Sequence, residues 1–216
     1  MDLPRHYFDP VTLHEVFEDV PSAQAYLAEL AEGPERDAPD TLAVRVPLTR
    51  ALAPEADHPD AELAEAERLG WLAVRRGGGP HDDAAAAHAD ASDVPLGAVA
   101  PLLRLAHVLQ WRHRFSEADL MFGLALEAAH YHAEHAASIE HARRLEYFAL
   151  QHWGKCRYDQ ALEVHVDQAR PYLGEALALF ERALELRVEV GVGSEQVAAT
   201  RQAIRAARER LAELGA

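Results

Sequence analysis

Three side chains in the stretch QHWGKCRYDQ, Gln151 to Gln160, are of kinds that do chemistry: His152, the chain's one lysine, Lys155, and its one cysteine, Cys156. His152 precedes Cys156 by four residues, so on a helix the imidazole and thiol share a face and a base stands where it can hold a thiolate. The same periodicity puts Cys156 on an apolar stripe with Ala149 and Trp153, which is how an inert, packed cysteine reads. Gly154-Lys155 is not a phosphate-binding loop. That motif needs a glycine five residues before Gly154 and a hydroxyl after the lysine, where Ala149 and Cys156 stand. A second group, HYHAEH, gathers His130, His132, Glu134 and His135, with His141 close behind. Such residues bind divalent metals when a turn brings them together. The spacing is not HExxH, however, and His130 and His132 would point to different sides of a helix. A metal-dependent or thiol enzyme centred on these groups is the alternative reading. The principal expectation is that Cys156 is packing, that the histidines are a solvated helix end, and that there is no catalytic residue, metal or cofactor.

The elements that must position these groups are set by composition and periodicity. The chain has 216 residues, 49% of them hydrophobic, enough for a sizeable core. Twenty arginines accompany the single lysine, a bias read as coding composition rather than function. The net charge of −15 argues against general affinity for nucleic acid or anionic membrane, since phosphate binding needs clustered Lys and Arg. Residues 1–100 carry net −13 and residues 101–216 only −2, so a ligand of the second half need not be basic. One cysteine excludes an intramolecular disulfide, and MDLPRHYFDP has neither a basic nor an apolar leader region, so a cytoplasmic location is expected. No apolar run approaches the ~20 residues that span a bilayer.

Along the chain, Val11–Glu18 and Ser22–Glu32 read as two short helices making an N-terminal segment, 1–33. Thr41–Leu52, interrupted by Pro47, and an acidic helix from about Asp60 to Val74 make a degenerate helical hairpin, 34–74. The stretch 75–97, with three consecutive glycines, reads as a Gly/Ala/Asp-rich linker and internal boundary. From Ala98 the helical period is strong, with Leu102, Leu105, Ala106 and Leu109 on one stripe and Ala118, Phe122 and Ala125 on another.

Self-comparison finds a shared frame in this half. Leu102, Leu105, Ala106 and Leu109 align with Leu150, Trp153, Gly154 and Arg157, and Ala118, Phe122 and Ala125 align with Ala176, Phe180 and Ala183. This pattern resembles the tetratricopeptide repeat, an antiparallel helix pair whose small residues let two backbones approach while an aromatic fills the space beside them. The interval from Ala106 to Ala118 is 12 residues, as in that family; from Gly154 to Ala176 it is 22, an excess assigned to an insertion around Ala161–Arg170. Arg157 replaces the expected aromatic. The last segment, from a Ser194 cap onward, resembles the solvating helix that closes such arrays.

The resemblance implies an all-α fold of antiparallel helical hairpins in a right-handed superhelix, with repeats over 98–216. It also implies a concave groove lined by first helices. Carried over residue by residue, that lining is His107, Gln110 and Trp111 from the first copy and Gln151, Lys155 and Tyr158 from the second, with Arg104 and His152 nearby. Such a lining suits a peptide segment, with a carboxylate opposite Lys155. The expected function is non-catalytic recognition of a protein or peptide, without direct nucleic-acid or membrane contact. The arginines of the last helix, Arg201, Arg205, Arg208 and Arg210, read as ordinary helix surface or as a contact for an acidic partner, and a third reading is a structural module that forms a homo-oligomer through that helix.

Overall fold

The computed structural model describes residues 4–9, 11–135 and 139–215. Among these the chain forms a short antiparallel hairpin, β1 (His6–Phe8) and β2 (Glu15–Phe17), followed by nine helices. They are α1 (Val20–Glu32), α2 (Pro39–Leu52), α3 (Pro59–Arg76), α4 (Asp83–Ala87), α5 (Leu96–Trp111), α6 (Phe115–His135), α7 (Ile139–Glu163), α8 (Val166–Val190) and α9 (Ser194–Glu213). Each long helix packs on the one before it, in the order α1, α2, α3, α5, α6, α7, α8, α9. In addition α2 touches α5, α5 touches α7, and α7 touches α9. These four therefore form one layer, and α3, α6 and α8 stand behind it. None of the helices is long and apolar enough to cross a membrane.

The stacking follows from the small residues. Ala106, Ala118 and Phe122 are fully buried in one cluster shared by α5 and α6. In the next hairpin a Cβ on Gly154 would lie 2.6 Å from Phe180 Cε1, so the backbone of α7 rests directly on that ring. Arg157, where an aromatic was expected, lies over the Tyr172 ring at 5.8 Å and pairs with Asp119 at 2.8 Å and Glu175 at 2.9 Å. The additional residues between the two packing motifs extend both helices, with the chain turning at Val164 and His165 between α7 and α8.

Several local expectations are corrected. Val11–Glu18 is not a helix. The Asp9 carboxylate accepts hydrogen bonds from Val11 N at 2.9 Å, Thr12 N at 2.7 Å and Thr12 Oγ1 at 3.0 Å, capturing the donors a first helical turn would need. Leu13 then takes a left-handed φ of 60°, and the chain returns as β2. Helix α2 runs through Pro47 without interruption, its neighbours Val46 and Leu48 both buried. Ser194 is the first residue of α9 rather than its cap, which is Gly193. The 75–97 segment holds α4 and a one-turn 3₁₀ stretch at Ala91–Asp93, and it buries Ala86 and Val94 in the cluster shared by α5 and α6. Gly77 is packed there too, with room for no Cβ: one would meet Ala98 Cα and Gly97 O at 2.7 Å.

Candidate functional site

The layer formed by α2, α5, α7 and α9 faces the hairpin loop, and the residues between them make a polar, partly buried site. Lys155, near the middle of α7, donates from Nζ to the Leu13 carbonyl at 3.0 Å. Glu15 accepts from Nη2 of Arg50, which α2 holds 5% exposed and 5.4 Å from the Trp111 ring. His14 packs its ring 4.7 Å from Trp111, and its Nε2 lies 2.8 Å from Asp159 Oδ2. The same oxygen accepts from Gln110 Nε2 at 2.6 Å. Leu13 is 5% exposed and joins the cluster of Tyr158, Phe180 and Ala203. A three-residue segment of the chain is thus held by one backbone carbonyl, one carboxylate, one imidazole and one apolar side chain.

Electrostatics follow from burial. Removal from water lowers Lys155 to about 8; Glu15 and Asp159 oppose the shift, and Arg50 and Arg187 add to it. His107 and His152, edge to face with ring centres 4.2 Å apart, are both held well below the usual histidine value, first by burial and then by neighbouring positive charge. They are neutral around pH 7, and among the described residues His152 Nδ1 is buried without a hydrogen-bond partner. Arg187 of α8 is 4% exposed and reaches forward between α7 and α9. Its Nη1 donates to Gln196 O at 2.8 Å, to Thr200 Oγ1, and to Gln151 Oε1 at 3.5 Å. Its guanidinium carbon lies 5.1 Å from the Tyr147 ring and 5.7 Å from the Phe148 ring.

Of the residues expected from the sequence, His107, Gln110, Trp111, His152 and Lys155 come together with the hairpin around one small cleft. Gln151 lies one step toward α9, on a larger cavity with Lys155 and His152. Arg104 is on the other side of the His107–His152 pair, lining a separate cavity of about 310 Å³ with His141 and Arg144. Tyr158 is not in this lining: it is 2% exposed, inside the core between α7, α8 and α9. Leu13, His14, Glu15, Arg50, Asp159 and Arg187 were missed. Asp159, four residues after Lys155 and so on its helical face, was the one with a readable signal.

The alternative chemistry finds little geometry. Cys156 is fully buried among apolar groups, and burial pushes its thiol well above the usual range, leaving it protonated. The histidines of the 130–141 group turn to separate partners. His132 Nε2 lies 2.8 Å from Val94 O, His135 Nδ1 lies 2.8 Å from Tyr131 O, and His130 lies between Glu134 and Glu146. His141 lines the Arg104 cavity. Among the described residues, no three His, Cys, Asp or Glu side chains are grouped to hold a metal ion. Compared with protein-family models, with curated proteins and with solved structures, the chain matches none, so the reading of this site rests on its geometry alone.

Proposed function

We propose that this chain is a tetratricopeptide-like array and a non-catalytic module that recognises a segment of a protein or peptide in its concave groove. The observation that carries the reading is that the inner layer already grips a peptide segment, Leu13 to Glu15 of its own chain. It uses a lysine for a main-chain carbonyl, an arginine for a carboxylate and a tryptophan for a ring. A groove able to hold one segment by backbone, charge and side-chain pockets has the equipment to hold another. The close approach at Gly154 and Phe180 and the alternating layers support the repeat assignment. The acidic balance of −15 favours a polypeptide partner over nucleic acid.

The test is affinity capture with three forms of the full chain: wild type, Leu13→Asp to loosen the hairpin, and Lys155→Glu with Trp111→Ala to spoil the groove. The reading expects partners retained by wild type to be enriched on Leu13→Asp and lost on the groove variant. Equal retention by all three excludes the groove.

A further inference from the structure

Beside the hairpin, between α7 and α9, lies a cavity of about 270 Å³, lined by Leu13, Glu15, Phe148, Gln151, His152, Lys155, Arg187 and residues of α9. The described residues include three arginines less than a tenth exposed: Arg45, Arg50 and Arg187. Two have carboxylates. Arg45 lies 3.7 Å from Asp37 and 3.8 Å from Glu65, and Arg50 pairs with Glu15. Arg187 is the exception: among the described residues its hydrogen bonds go only to neutral oxygens, and no carboxylate lies within ion-pair distance. A buried cation without a counter-charge is costly, and folds keep one where something supplies the charge.

Two further features converge on this cavity. Among the described residues, Arg187 Nε and His152 Nδ1 are both buried without a hydrogen-bond partner, and both belong to residues of its wall. The one carboxylate on the wall, Glu15, already pairs with Arg50, while Lys155 adds a second positive group. The rest of the lining includes the apolar side chains of Leu13, Phe148, Ala199 and Ala203. At this size the space admits a small ligand only.

We propose that this cavity binds a small organic acid, its carboxylate paired with Arg187 and its apolar body against Phe148, Leu13 and Ala203. The cavity adjoins the peptide-holding cleft, with Leu13, Glu15, His152 and Lys155 on the wall of both, but the proposal stands on Arg187 and not on the reading of that cleft. Charge-assisted hydrogen bonds from a planar guanidinium suit a carboxylate, and the apolar wall favours an acid with a hydrocarbon body over an inorganic ion. Such a carboxylate comes either from a free acid or from the end of a peptide lying in the groove.

The experiment measures thermal unfolding and calorimetric binding of the full chain with butyrate, hexanoate and benzoate. The corresponding amides, chloride, and a tetrapeptide with free or amidated C-terminus complete the set. The proposal expects hexanoate or benzoate to raise the melting temperature at millimolar concentration, with the amides and chloride inert. Affinity should fall at least tenfold in Arg187→Gln and in Ala199→Leu, which narrows the exposed rim without touching the arginine. The Arg187 Nε resonance should shift on addition of acid to the wild type. If the free-terminus peptide binds more tightly than any acid, the same carboxylate site is supported with the peptide as its source. Should amide or chloride match the acid, should no acid bind, or should Ala199→Leu and a folded Arg187→Gln both bind as wild type, the proposal is wrong. If Arg187→Gln does not fold, Ala199→Leu and the resonance shift decide.

Discussion

Gly154 and Lys155 are neighbours on α7 with opposite duties, and each makes a distinct prediction. A methyl on Gly154 would lie 2.6 Å from a Phe180 ring atom, and Phe180 is fully buried, so the ring or the helix must shift to admit it. Overpacking of this kind costs about 1–3 kcal/mol, of which the better helix propensity of alanine returns up to ~1. Gly154→Ala should therefore destabilise the chain by about 1–2 kcal/mol, measured as a lowered denaturant midpoint at unchanged slope. Lys155 is the chain's one lysine, so its Nζ resonance can be followed alone. It should titrate near 8, against 10.5 for an ordinary lysine. With a depressed folded value, the unfolded chain holds the lysine proton between those limits, so the contribution of Lys155 to stability rises with pH from about 8 to 10.5, opposed by the buried Cys156 thiol, whose raised value acts with the other sign. Lys155→Met should lack that contribution, read as the change with pH in the stability difference between the two forms across the same window.

At the scale of elements, the N-terminal hairpin is the piece that gives the site its content. Leu13 anchors it in the core cluster of α7, α8 and α9, with Glu15 and His14 tied to Arg50 and Asp159 on either side. Leu13→Ala should weaken docking by about 2 kcal/mol or more. The amides of β2 should then exchange roughly thirtyfold faster while those of α5 and α7 keep their protection. This element was the least legible from sequence. The sequence reads as a helix over Val11–Glu18, whereas the Asp9 side chain draws off the backbone donors and starts a turn. Long-range capture of that turn by Arg50 and Lys155 leaves no periodic trace. The helices from Ala98 onward were legible because small residues at fixed intervals are required by backbone contact. Five of the groove residues came with them, and Tyr158 did not: its ring is buried in the cluster between α7, α8 and α9. Arg187, on the layer behind, lay outside the frame altogether.

Across the described residues the long helices stack in sequence, and the contacts of α2 with α5, α5 with α7 and α7 with α9 lie within the inner layer. Stability in such an array is a sum of neighbouring interfaces, so damage at one end stays near that end. Ile204, 6% exposed on α9, offers the test. In Ile204→Asp, hydrogen exchange in α9 should accelerate by roughly a hundredfold while α2 and α3 change by less than tenfold. A uniform increase along the chain would mean one cooperative core instead of an array.

The central claim is that the inner layer is a groove for a polypeptide segment and that residues 13–15 occupy it from within. Its most direct measurement is fluorescence anisotropy of a labelled peptide with the sequence of residues 4–19, titrated with the full chain carrying Leu13→Asp. The account predicts saturable binding to that variant, at least tenfold weaker binding to wild type, whose own hairpin competes, and none once Arg50→Ala and Lys155→Glu are added. Equal anisotropy with all three forms, bound or unbound, would contradict it.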